Sequence, residues 1–143
     1  RNNILVAEST ALHGKPILVA PRLGQGTFRI LVMDTYQRRC AITREKVLPV
    51  LEAAHIKPVS EGGQHQLANG LFLRSDVHAL FDCGYVTVRP DFKFLVSPRL
   101  KTDFDNGEHY YRLNGQQIWV PPHVQDRPSQ QFLEWHGDER FLK

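Results

Sequence analysis

The sequence predicts an α+β domain, and three observations within one stretch, residues 51–82, predict it. Leu51, Ala53 and His55 alternate with Glu52 and Ala54, a period-two pattern that Pro58 closes, so a short strand ends at His55. Val59 to Ala68 then contains the Gly62-Gly63 pair, whose permissive backbone suits a wide turn, and Asn69 opens a second apolar run, Leu71-Phe72-Leu73. Ser75 is placed to cap a helix over Asp76 to Asp82, where Val77, Leu80 and Phe81 recur at spacings of three and four before Gly84. The unit reads strand, loop, strand, helix.

The rest of the chain arranges itself around that unit. Residues 1–23 read as an N-terminal connector, in which Ala7 to Leu12 suits one or two helical turns and Ile17 to Ala20 a short strand closed by Pro21. Residues 24–143 read as the domain proper, with its motif core at 40–84. Gly24 to Gly26 forms a loop, and Thr27 caps a helix to about Arg39 whose stripe of Phe28, Leu31, Val32, Thr35 and Tyr36 faces a core. On its other positions Arg29, Arg38 and Arg39 either contact phosphate or keep the outer face soluble. Cys40 to Thr43 is a short strand or turn leading into the motif.

Beyond Gly84 two hairpins are expected. Tyr85 to Val88 and Lys93 to Val96 alternate about the Pro90-Asp91 turn. Tyr110 to Leu113 and Gln117 to Val120 flank Asn114-Gly115, the strongest turn signal in the chain, and Pro121-Pro122 ends the second strand. Ser129 caps a terminal helix carrying Phe132, Leu133, Trp135 and His136.

Composition bounds the function. At 143 residues the chain is one domain by length, with a formal net charge of +3. That charge is uneven: residues 1–50 hold eight Lys/Arg against three Asp/Glu, whereas residues 101–143 hold five against seven. A polyanion would meet the first half, although a solvated surface also accounts for the basic excess. Cys40 and Cys83 form no CxxC pair and suit a reducing compartment as small apolar residues. No apolar run approaches the roughly 20 residues of a membrane span, and no signal peptide is evident, so a cytoplasmic setting is expected. The first residue, Arg1, rather than Met, suggests a segment of a longer protein.

The motif carries a resemblance. His55-Ile56-x-Pro58, the Gly62-Gly63 turn, Asn69-Gly70-Leu71-x-Leu73 and the helical His78 resemble the HNH endonucleases, the ββα-metal nucleases, in the restriction-type variant reading AAHI, NGL and LRxDxHxLFD. It covers about a third of the chain closely. The resemblance implies a ββα-metal core with a preceding basic helix, following hairpins and a C-terminal helix. It implies His55 as general base, Asn69 as the brace of the loop and His78 as a ligand of one divalent cation. It also implies a DNA substrate and phosphodiester hydrolysis as the cleavage module of a restriction or other defence enzyme of a prokaryote or phage; a fused recognition domain in the longer protein that Arg1 suggests, and a homodimer, are further expectations. The alternative is a module that keeps the fold and binds nucleic acid with weak or lost chemistry. The four-thiolate zinc knuckle of many HNH proteins cannot form from two cysteines.

The chemistry follows from the residues as well. Hydrolysing a phosphodiester requires deprotonating a water, neutralising a phosphorane-like transition state and stabilising a leaving oxyanion. One imidazole near its ordinary pKa of about 6.5 and one cation suffice.

The sequence departs from the family pattern at one position. Many HNH enzymes place Asp or His immediately before the base as a second metal ligand, where this chain has Ala54. Asp82, four residues after His78 on the same helical face, can replace it, and Glu52, on the strand, is the rival. Magnesium or manganese is the expected cation, with nickel, cobalt and zinc as alternatives for an imidazole site. Arg38, Arg39, Lys57 and Arg74 are the expected DNA-backbone contacts, a surface salt bridge being the competing account for Arg74. His65, in the loop between base and brace, is either a phosphate contact or, as is more usual for a polar loop histidine, simply exposed; His13, His109, His123 and His136 carry no motif.

Overall fold

The computed structural model describes residues 8–12, 15–19 and 23–143, the first two segments by their backbone. Strand β1 (Glu8–Leu12) pairs antiparallel with β2 (Lys15–Val19). Helix α1 (Gln25–Thr35) leads into the central ladder of β3 (Leu51–His55) and β4 (Gly70–Arg74), followed by α2 (Ser75–Cys83). A short ladder of β5 (Val86–Val88) and β6 (Phe94–Val96) comes next. Helices α3 (Arg99–Phe104), α4 (Glu108–Tyr111) and α5 (Gln130–Glu139) complete the chain. The mixture of small antiparallel ladders and separate helices is the expected α+β class. Among the described residues no helix is long and apolar enough to cross a membrane.

The strand–loop–strand–helix unit forms as its local signals predict. β3 runs antiparallel to β4 with Leu51 opposite Arg74 and His55 opposite Gly70. Helix α2 ends where Gly84 takes the left-handed conformation, φ 86°, and its N–H closes on Phe81 O. Its N-cap is Arg74 rather than Ser75, and no side chain caps it. Phe28, Leu31 and Val32 of α1, with Tyr36 at its C-cap, bury their stripe against the ladder, joined by Leu71, Phe72, Leu73, Val77 and Phe81. Gly70 makes that approach possible: a Cβ there would lie 2.7 Å from Val32 Cγ2 and 3.1 Å from the Phe28 ring.

Several expected elements differ. The backbone at residues 8–12 is strand, not helix, because it pairs with β2; Ala7, His13, Ala20 and Pro21 lie outside the described residues. Helix α1 begins at Gln25, with Gly24 as its N-cap, and stops at Thr35. Gln37 and Arg38 then take positive φ angles of 59° and 57°, which end the helix four residues before Arg39. Tyr110 to Leu113 is not a strand: Tyr110 and Tyr111 belong to α4, and their hydroxyls are claimed by Asp76 Oδ2 and Ser97 O. Gly115 to Ile118 instead runs beside β6, through Gly115 N to Phe94 O, Phe94 N to Gln116 O and Ile118 N to Phe92 O. Ser129 does cap α5, its Oγ accepting from Phe132 N. Cys40 is buried and its Sγ accepts from Thr43 N and Arg74 N, whereas Cys83 is exposed.

Candidate functional site

His55 and His78 reach the same place from different elements. His55 leaves the end of β3, His78 the middle of α2, and both line a cleft of about 540 Å³ with Asp82, His65, Ala53 and, from α1, Phe28 and Arg29. The strand does not alternate as simply as the sequence suggests: Leu51 and Ala54 are buried, Ala53 and His55 are the cleft-lining pair, and Glu52 is exposed.

The His55 ring stacks on Phe28, and its Nε2 lies 2.9 Å from Nδ1 of His65. Burial, then the neighbouring His65 and His78, hold its pKa below the ordinary histidine value against the opposite pull of Asp82. The shift favours the neutral imidazole.

Asn69 is wholly buried beneath the loop. Its Oδ1 accepts from Lys57 N at 2.9 Å, and its Nδ2 donates to Lys57 O at 2.9 Å and to Gln64 O at 3.0 Å. All three contacts tie the two legs of the loop between β3 and β4 together, so the side chain fixes where both His55 and His65 begin.

His78 stands between two carboxylates. Glu52 Oε1 is 2.7 Å from its Nδ1, and Asp82 Oδ2 is 3.2 Å from its Nε2. The hydrogen bond to Asp82, opposed by burial and reinforced by Glu52, raises the His78 pKa above the ordinary value. Among the described residues no group of three or more His, Cys, Asp or Glu is gathered that could hold a metal ion. The donor set, one imidazole and one carboxylate on successive turns of a helix, suits a hard cation that keeps several waters and takes substrate oxygens; it does not suit structural zinc, which needs four protein ligands. His78 Nε2 and Asp82 Oδ2, 3.2 Å apart, are the two groups that would hold such a hard cation. Glu52, on the other nitrogen, holds the ring instead.

The four expected phosphate contacts lie elsewhere. Arg74 makes two bonds to Asp76, at 2.7 and 3.0 Å, and a third to His109 Nε2; with Arg74 and Tyr110 as donors, Asp76 is held down to a pKa of about 2. Arg38 faces Asp34 at 3.7 Å in a separate hollow lined by Ile30, Pro121 and His123. Arg39 Nε donates to Arg44 O, and the Lys57 ammonium sits over the Trp135 ring. The exposed Arg29 is the basic residue that lines the cleft itself. The sequence left Arg29 undecided and favoured an exposed His65, whereas His65 is half-buried against His55 and Phe28, because only the packing of α1 and the loop against β3 brings the two beside His55.

His136, without a motif, is a core residue: its Nε2 donates to Phe81 O, its Nδ1 accepts from Thr87 Oγ1, and its ring stacks on Phe81.

Comparison with known proteins matches residues 40–89 to the family model described as HNH endonuclease. Among solved structures the fold is similar to a modification-dependent TagI restriction endonuclease, at 21% sequence identity and a TM-score of 0.56. That similarity covers 86% of this chain and 40% of the other, so the chain spans well under half of that enzyme's length. No curated protein sequence matches the chain.

Proposed function

From the premise that residues 40–89 carry an HNH endonuclease domain, we propose that this chain is the DNA-cleaving module of a restriction-type enzyme, hydrolysing phosphodiester bonds with one divalent cation. The observation that carries the reading is the single cleft into which β3 presents a neutral His55 and α2 presents His78 and Asp82. His55 is the general base. Its lowered pKa leaves the ring free to take a proton from a water held over the phosphorus. His78 and Asp82 hold the cation, and Glu52 accepts the Nδ1–H of His78 and fixes the ring. When bound, the cation neutralises the non-bridging and leaving oxygens of the phosphate. Magnesium or manganese fits the oxygen-rich remainder of the shell.

Arg29 meets the phosphate nearest the cleft, while Arg38, Arg39, Lys57 and Arg74 contribute a more distant positive field. Sequence recognition falls to a further domain, in keeping with the 40% of the TagI enzyme that this chain spans. The second reading, a nucleic-acid-binding module without chemistry, is favoured by one observation: the ion pairs of His78 with both carboxylates satisfy it without a cation.

Incubating the purified chain with supercoiled plasmid across magnesium, manganese, cobalt, nickel and zinc, with chelator as control, decides between them. Nicking or linearisation that chelator stops and His55→Ala abolishes, with DNA affinity retained, is the expected result. DNA binding without cleavage in every metal would leave the binding module.

A further inference from the structure

His65 and His55 share one hydrogen bond, and its direction decides whether His55 can work. The rings lie 2.9 Å apart, Nε2 to Nδ1, and when both imidazoles are neutral that contact holds one proton. If His65 donates, the neutral His55 carries its proton on Nδ1, and its only lone pair is consumed by the contact. If His55 donates, its Nε2 holds the proton and Nδ1 keeps a free lone pair; among the described residues that nitrogen makes no other hydrogen bond.

Resting on the reading of His55 as base, we propose that His65 is its positioning residue: Nδ1 of His65 accepts the Nε2–H of His55 and fixes the tautomer whose Nδ1 lone pair takes the proton of water. The chain holds His65 for that role from three sides. Its carbonyl accepts from Leu23 N at 3.0 Å, and the preceding carbonyl, Gln64 O, is gripped by Asn69 Nδ2 at 3.0 Å. The ring meets His55 edge to face, centroids 5.0 Å apart at 61°, and leans on the same Phe28 that His55 stacks upon. The buried Asn69 therefore sets the spacing of the pair through the backbone, and Phe28 sets the planes. The same logic operates wherever a base is oriented by a third group through its second nitrogen. Once His55 has taken a proton on Nδ1, the bond to His65 becomes charge-assisted and steadies the imidazolium. His65 itself need not gain or lose a proton.

Two variants separate this role from a proton relay. His65→Asn places Oδ1 about where Nδ1 stood, an acceptor that cannot pass a proton on; His65→Leu removes the acceptor. Nitrogen-15 spectra of the metal-free protein above the His55 titration should find Nε2–H on His55 in the wild type and in His65→Asn, and a mixture of tautomers in His65→Leu. Single-turnover cleavage should fall about 10- to 100-fold in His65→Leu at unchanged DNA affinity and recover to within a few-fold in His65→Asn. A His55 tautomer unaltered by His65→Leu, or Nδ1–H on His55 in the wild type, overturns the positioning role. Failure of His65→Asn to restore cleavage overturns it in favour of a relay. Should His55→Ala cleave at the wild-type rate while the tautomer still responds to His65, the reading of His55 as base falls instead.

Discussion

The imidazole of His55 lies face to face with the ring of Phe28, with 4.2 Å between centroids and 9° between planes. Phe28 is itself buried in the first turns of α1, so the helix supplies a rigid apolar wall for a side chain at the end of a strand. Desolvation by burial is the leading cause of the lowered His55 pKa, and the Phe28 ring covers one face of the imidazole. Phe28→Leu keeps the helix and opens one side of the imidazole to water. We expect it to move the His55 pKa up toward about 6.5, which shifts the acid limb of the cleavage profile to higher pH, and to cost about 1–3 kcal/mol of stability. Histidine titration by NMR beside the pH dependence of single-turnover cleavage checks both. A His55 titration that stays put in the variant would mean that Phe28 is only packing.

Phosphate contact should be graded by how free each arginine is. Arg74 is engaged by Asp76 and His109, and Arg38 faces Asp34 away from the cleft, whereas Arg29 lines the cleft beside His55. Arg29→Ala is expected to lower the slope of log affinity against log salt by about 0.9, the share of one phosphate contact on duplex DNA. Arg38→Ala with Arg39→Ala should flatten the slope less per residue. Arg74→Ala should mainly loosen the contact of β4 and α2 with α4, because Asp76 and His109 lose their shared partner. Anisotropy titrations of a short duplex at several salt concentrations measure the slopes. A larger change for Arg74→Ala than for Arg29→Ala would put Arg74 on the DNA.

His136 predicts an acid limit to stability. Its ring is 2% exposed and fully hydrogen-bonded as the neutral form, and burial lowers its pKa to about 4. The unfolded chain, with an ordinary histidine near 6.5, binds more protons than the folded one between those values. Stability is therefore lost as pH falls from about 6.5 to about 4, on the order of 3 kcal/mol at most. His136→Gln should be less stable than wild type at pH 7, and the gap should narrow as the pH approaches 4. Parallel unfolding midpoints of the two proteins across that range, followed by thermal denaturation, would remove His136 from the acid response.

What the sequence made legible is what is decided locally. The end of β3 at His55 and the cap of α5 at Ser129 follow from Pro58 shortly after the strand and from Ser129 before the helix, although the burial of β3 does not keep the period that the sequence shows. The second hairpin failed because strand propensity in Tyr110 and Tyr111 lost to tertiary hydrogen bonds to Asp76 and Ser97. The Asn114-Gly115 turn does form a reversal, with Gly115 at φ 84°, but the returning segment pairs with β6. The end of α1 carried no signal, since Gln37 and Arg38 occupy conformations that usually call for glycine or asparagine. His136 was illegible for a plainer reason: its partners, Thr87 and Phe81, lie 49 and 55 residues away in sequence. The candidate site divides the same way. His55, Asn69 and His78 stand out as a motif, but that Asn69 reaches across the loop, that Glu52 turns to His78, and that Arg29 rather than Arg74 faces the cleft all depend on packing between elements.

The two carboxylates on His78 lead to the last prediction. Asp82 is on the same helix, one turn on, and faces Nε2; Glu52 comes from β3 and faces Nδ1 at the shorter distance. With both in place the imidazolium is favoured, so without a cation His78 adds stability that is complete below about pH 6.5 and is lost as pH rises through its raised pKa. A cation must displace the Nε2 proton, so its affinity should weaken as pH falls and binding should release a proton. Asp82→Asn removes a ligand together with its charge. Glu52→Gln keeps an oxygen that can still accept the Nδ1–H, and it takes away only part of the force holding the proton in place. Manganese affinity should therefore drop about 10-fold or more in Asp82→Asn and change little in Glu52→Gln. Calorimetric titration in two buffers of different ionisation enthalpy reads affinity and proton release together. The reverse order would make Glu52 the ligand and Asp82 the group that holds the ring, and equal, small losses in both variants would mean that water and the DNA phosphate complete the shell around His78 alone.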